Sequence, residues 1–290
     1  MSMNKKAVSR RSLVTIGGGL LAAPVLSQTP EAGLRNETLE VIQSLRTIHG
    51  DFSGKQVPDK DVRTILGASV RAASASNTQT YSILVIRDAA KMRDLTGYRG
   101  SCLLLYCVDH NRTTATAKHL GYDVYADNIE AFVTASINTV LAAQTAVIAA
   151  RSLGIDSLLT NGIHRGDMER VWTILDLPQT SCFPLIALIL GYPRTEPAHR
   201  KGRLSGPGVV HYEKFHRLAK EELDKIVLQY DDKAMQLNQS EGWEKKGHKH
   251  YLDWYYKEWG RGGQTVAETQ MFRRLKKSGY IDLAGTQPRA

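Results

Sequence analysis

The segment Ala72-Ala-Ser-Ala-Ser-Asn-Thr-Gln-Thr-Tyr81 sets small side chains from Ala72 to Ser76 ahead of two primary amides, Asn77 and Gln79, then enters the apolar run 82–86. Small side chains let a planar ring approach the backbone closely, and a primary amide offers a donor and an acceptor together. That combination suits the alternating N–H and C=O edge of a flavin pyrimidine. Taken alone, the same residues also describe a helix end with an Asn at its C-cap. Other chemistries have less support. Ser, His and Asp are scattered with no Gly-x-Ser-x-Gly elbow, which argues against a hydrolase. His248 and His250 stand two apart, a spacing that does not share a helix face, so no metal pair is expected there. Cys102, Cys107 and Cys182 lack the close paired spacing of zinc or iron–sulfur ligands and read as core thiols.

These residues need elements to position them. With 290 residues, 42% of them hydrophobic, the chain can bury a full core, and one domain of roughly two hundred residues plus appendages is expected. The formal charge is +9, but Lys5, Lys6, Arg10 and Arg11 precede residue 28 with no acid to oppose them, leaving only +5 for the rest. That balance is too mild to argue for nucleic acid. Apolar spacing predicts helices over 38–45 and 59–68, the second capped by Asp59. Short apolar runs at 82–86, 102–108, 155–160 and 184–190 have strand character, with no regular βαβ repeat. Residues 127–153 predict one long helix, apolar nearly all round and stopped at Gly154, hence buried on most faces in a core or a subunit interface. From about Lys214 the text becomes charged and helical, with Trp243, Trp254 and Trp259 among Lys and His. That stripe is expected to pack against the body or a partner, or to form a lid.

Two resemblances sharpen the reading. Ser9-Arg-Arg-Ser-Leu-Val14 followed by the glycine-rich apolar run 15–26 resembles a twin-arginine export signal, with residues 1–27 as the signal peptide and Ser27 near a cleavage point. The run is shorter than the ~20 residues a bilayer span needs. Residues 72–81 resemble the Ala-Pro-Ser-Ala-x-Asn-x-Gln-Pro-Trp segment of the nitroreductase family of FMN-dependent oxidoreductases, with Ala73 and Thr80 at the two proline places. Arg46 and Phe52 fall where that family has Arg-x-Ser-x-Arg-x-Phe, Lys55-Gln-Val-Pro58 follows, residues 142–154 resemble its central helix, and Leu190-Gly-Tyr-Pro193 with Lys201-Gly-Arg203 resembles its last strand and phosphate-binding Lys-x-Arg. In the literal register Ile48 and Gly50 replace the Ser and the second Arg; a one-residue insertion puts Thr47 and His49 there instead, and that register is favoured.

The resemblance implies an α+β fold with a mixed sheet flanked by helices over residues 36–212, and a helical C-terminal extension over 213–290. It also implies a homodimer with FMN at the subunit interface. By the same likeness, Arg46, Thr47, His49, Lys201 and Arg203 would hold the phosphate, with His49 also able to reach the flavin's N1–C2 edge. Ser74, Ser76, Asn77 and Gln79 would line the ring, and Asn161-Gly162 would lie near flavin N5. The expected activity is ping-pong reduction of a small acceptor, nitroaromatic or quinone-like. A dehalogenase or dehydrogenase branch and a non-enzymatic flavin-binding envelope protein are the alternatives. If the protein is exported, free nicotinamide is scarce where it works, and an envelope redox partner rather than NAD(P)H would be the donor.

Overall fold

The computed structural model describes residues 36–124, 126–239, 242–259 and 266–281. The proposed export signal at 1–27 lies outside them.

Four strands form one antiparallel sheet: β1 Tyr81–Ile86, β2 Cys102–Asp109, β3 Asp156–Thr160 and β4 Cys182–Gly191, in the order β1-β2-β4-β3. The central pair is buried on both faces, which is why β2 and β4 read as continuous apolar runs rather than alternating ones. A further piece of chain lengthens the sheet at the β3 edge, where Thr47 bridges Ser157 in parallel and Ile48 donates its N–H to the Ser157 carbonyl at 3.0 Å. The Thr47 edge and the β1 edge therefore bound opposite sides of the sheet.

Before β1 stand α1 (Glu37–Gln43) and α2 (Asp59–Ser69). Asp59 does not cap α2 as the sequence suggests: Pro58 holds the cap position, and Asp59, already helical, pairs with Arg87 at 2.5 Å. Proline's fixed φ suits the start of a helix and frees the aspartate to oppose the N-terminal dipole. Between β1 and β2 lies α3 (Ala89–Thr96), and after β2 comes α4 (Asn111–His119). The long helix α5 (Ile129–Ser152) is capped by the Asn128 side chain on the Ala131 N–H and ends before Gly154, whose φ is +71°.

Helix α5 packs with small residues inward. Ala135, Asn138, Thr139, Ala142, Ala143, Ala146 and Ala150 are buried, so its backbone comes close to the sheet. Its large residues point the other way: Ile129, Val133 and Ile137 are each more than half exposed in the single chain. A helix with the length and apolarity of a membrane span thus has one face on the sheet and one apolar face that the described residues leave uncovered.

The segment expected as a single C-terminal extension divides in two. After α6 (Glu169–Leu175) and β4, helix α7 (Lys220–Asp231), α8 (Tyr251–Trp254) and a π-helical turn Tyr255–Trp259 build a satellite core in which Trp243, Tyr251 and Trp254 are buried against one another. By contrast, α9 (Val266–Lys277) returns to the body. Arg274 is buried with its guanidinium 3.6 Å over the Trp172 ring, and Tyr280 sits in the main core beside Phe132 and His110. The end of this segment is integral to the body, because burying Tyr280 and stacking Arg274 fill space that α6 and β4 leave open.

Candidate functional site

Residues 74–79 form a turn with a costly backbone. Ser76, Asn77 and Gln79 all have positive φ, at 48°, 53° and 50°. Such conformations cost non-glycine residues about 1–3 kcal/mol each and persist only where the surroundings over-determine them. Here they are fixed from several sides: the Ser74 hydroxyl accepts the Gln79 N–H at 2.8 Å, and the Arg112 guanidinium donates to the Gln79 carbonyl. The Asn138 amide of α5 accepts the Ala75 N–H at 2.9 Å and donates to the Thr80 hydroxyl at 3.0 Å. Asn77 is exposed, with its carbonyl oxygen near the Gln79 amide nitrogen at 3.3 Å. The turn presents amide groups outward, as the edge of a polar ring requires.

A second region collects positive charge. Residues 199–206 line a cleft of about 980 Å³ with His199, Arg200, Lys201 and Arg203 on one side and the 234–236 segment on another. Gly202 is required there: a Cβ at that position would lie 1.9 Å from the Met235 carbonyl oxygen, and the Gly202 N–H donates to the Gln236 carbonyl at 3.1 Å. Lys201 donates to the Asn238 carbonyl at 2.6 Å, and Arg203 donates to the Lys201 and Gly202 carbonyls. With Arg200 donating to the Gln43 carbonyl, three held cations within four residues, Arg200, Lys201 and Arg203, make the cleft suited to an anion such as a phosphate monoester. His199 and Arg200 were not singled out by sequence reasoning; the adjacent positions in the same loop were the available signal.

The remaining candidates are placed differently. Arg46 is half-buried and tied into a network around the buried Asp156, which accepts from its Nε at 2.9 Å and its Nη2 at 2.7 Å, with Arg151 joining Asp156 at 3.0 Å and the exposed Glu196 on the outer edge. Hydrogen bonds to those carboxylates hold the guanidinium pKa above its ordinary value, and the Glu196 carboxyl is pulled below its own by Arg46. Through Asp156 the Arg46 guanidinium ties the Thr47 segment to β3, and Arg46 is not among the residues that line the cleft. Thr47 and His49 are exposed while Ile48 lies in the core; His49 Nε2 is 3.0 Å from the Tyr98 hydroxyl. Asn161 is exposed at the end of β3. Gly162 is buried, its N–H goes to the Thr160 hydroxyl at 3.0 Å, and a Cβ there would meet the Thr96 carbonyl at 2.7 Å. Its glycine is thus explained by packing against α3, not by an open backbone donor. His248 and His250 pair separately, with Glu258 at 2.8 Å and Asp231 at 2.6 Å.

The turn and the cleft together fit FMN: exposed amides suit the pyrimidine edge and the cationic cleft suits the phosphate. No protein-family model matches the chain. A curated NADPH-flavin oxidoreductase of Vibrio harveyi is 30% identical over 209 residues, which cover 69% of this chain and 82% of that protein. An FMN reductase (NADPH) of Bacillus subtilis is 27% identical over 248 residues, covering 78% and 98%. Among solved structures, NfrA2 of B. megaterium superposes with a TM-score of 0.69 at 25% identity, over 85% of this chain and 98% of its own. That share is more than residues 1–212 could supply, so the likeness runs into the segment that the sequence reading had set outside it. The cofactor is FMN, the fold is the one expected, and the chain belongs to the nitroreductase family of FMN-dependent oxidoreductases.

Proposed function

We propose that the protein reduces a small aromatic acceptor, nitroaromatic or quinone-like, with electrons from a nicotinamide donor, and that donor and acceptor occupy the same side of the flavin in turn, giving ping-pong kinetics. The relatives named for NADPH support the donor. FMN, when bound, supplies hydride acceptance and release; the protein supplies binding, orientation and electrostatics. Lys201 and Arg203 neutralise the phosphate, Arg200 adds to the field of the cleft, and Asn77 reads the pyrimidine edge. The exposure of Thr47 and His49, with Ile48 in the core, supports the register in which a hydroxyl and an imidazole face the ligand.

The same geometry supports a homodimer. The Thr47 edge and the β1 entrance lie four strand spacings apart, on the order of 19 Å at the usual separation of neighbouring strands. One ring cannot be held from both edges of a single sheet, so a second copy would bring its 74–79 turn to the first copy's cleft. The face of α5 that the described residues leave exposed is the contact surface such pairing would use.

The observation that carries this reading is the pair of cations, Lys201 and Arg203, held on either side of Gly202 in the lining of the cleft. Protein purified and heat-released should yield FMN by chromatography. Replacing Arg203 by Ala should weaken FMN binding by roughly 1.5–3 kcal/mol, the range for hydrogen bonds to charged groups. Release of FAD or of no flavin, or an unchanged dissociation constant for Arg203→Ala, would remove the cleft from the site.

A further inference from the structure

Asn138 is 1% exposed in the middle of α5, among alanines that pack on the sheet. A polar side chain at such a position needs partners, and both of its partners lie in the 74–80 turn. Its carbonyl oxygen takes the Ala75 N–H and its amide nitrogen donates to the Thr80 hydroxyl. All three residues of positive φ, Ser76, Asn77 and Gln79, lie between those two anchors. One turn further along α5, the Ala142 carbonyl accepts the buried Ser69 hydroxyl at 2.9 Å at the end of α2, so the helix also braces the chain where it enters the turn.

From this arrangement we infer that Asn138 is the positioning residue of the flavin ring site: it holds the 74–79 turn in its costly conformation and so aims the Asn77 amide. It touches no ligand itself. The inference rests on the FMN reading given above and extends it to a residue whose contribution is geometric. Without the amide, the Ala75 N–H and the Thr80 hydroxyl lose their buried partner, and the turn can relax toward ordinary backbone angles in which Asn77 no longer faces the ring. The effect should fall on ring binding and leave phosphate binding alone.

Riboflavin, which lacks the phosphate, separates the two. Flavin-free full-length protein would be titrated with FMN and with riboflavin. Asn138→Leu keeps the volume and deletes both bonds; its affinity for the two ligands should drop by the same factor, about ten- to hundredfold, as expected for loss of buried hydrogen bonds. Thr80→Val removes one anchor only and should show a smaller equal loss; it carries the test if Asn138→Leu does not fold by circular dichroism. Thr139→Val is the matched control, because Thr139 is buried one position away and its hydroxyl bonds only within the helix, to the Ala135 carbonyl. Arg203→Ala should weaken FMN and spare riboflavin. Asn138 variants that bind both ligands within twofold of wild type, or that lose FMN alone, overturn the inference, as does an equal loss in Thr139→Val. A wild-type protein that binds neither ligand overturns the FMN reading itself, which is a different failure.

Discussion

Gly202→Ala tests how the cations of the cleft are held. The added Cβ would stand 1.9 Å from the Met235 carbonyl oxygen and 3.1 Å from its carbon, and both are backbone atoms that cannot swing aside. To restore ordinary contact, the 201–203 loop and the 232–238 strap must separate by more than about 1 Å, which a close-packed interior does not absorb freely. Separation of that size breaks the Gly202-to-Gln236 bond, now 3.1 Å, and stretches the Lys201-to-Asn238 bond, now 2.6 Å. Both cations then leave the positions in which the proposed site needs them. Losing one charge-assisted bond costs about 1.5–3 kcal/mol, so FMN affinity should fall by roughly ten- to 150-fold. Overpacking should also lower the melting temperature of the flavin-free protein, at a cost of about 1–3 kcal/mol. Gly54→Ala is the control, since nothing lies within 4 Å of its added Cβ. Quenching of flavin fluorescence on titration gives the dissociation constants. If Gly202→Ala binds FMN within twofold of both wild type and Gly54→Ala, the strap does not set the cations and the argument fails.

Replacing Ile137 and Leu141, exposed on the outer face of α5, by Asp should yield a folded monomer by light scattering that retains little FMN; a dimer with full flavin content would refute the proposed interface. Glu258 accepts from His248, Lys246 and the Trp254 indole, which brings its carboxyl down to about 2. A carboxylate lowered on folding contributes stability that is fully present above its unfolded value near ~4.3 and is lost as the pH falls toward 2. Near-ultraviolet circular dichroism of the satellite core should therefore decay between those limits, and Glu258→Gln should flatten the profile; an identical profile in the variant would exclude the cluster. We propose export for residues 1–27 separately from the donor: Arg10→Lys with Arg11→Lys should then trap the protein in the cytoplasm, whereas fractionation showing the wild type there already would remove the export proposal and leave the nicotinamide donor unopposed.

The strands could be read from the sequence because burial on both faces leaves its own mark, an apolar run bounded by turn residues, as in 102–108 and 184–190. The 72–81 segment could be read for a similar reason, since small residues and amides at fixed offsets are a local feature. Helix α5 was visible by its length and by the stop at Gly154, while its cap at Asn128 came from the structure. Its orientation was not, because a helix apolar on all sides has no period to say which face goes inward. Only contact with the sheet decided that alanines pack inside and Ile137 points out. Helices α3, α4 and α6 are short and amphipathic at best, and their positions follow from the strands they connect.

The partners of the site residues were equally out of reach. Nothing in the spacing around Arg46 announces that Asp156, 110 residues away, takes two bonds from its guanidinium. The sequence does not say that Ala75 and Thr80 close on Asn138, and Tyr280 reads as part of an appendage until it enters the main core. Residue type and spacing state what a side chain can bond; which of its possible partners it meets is set by long-range packing, where an unpaired buried charge or amide costs more than any local preference supplies.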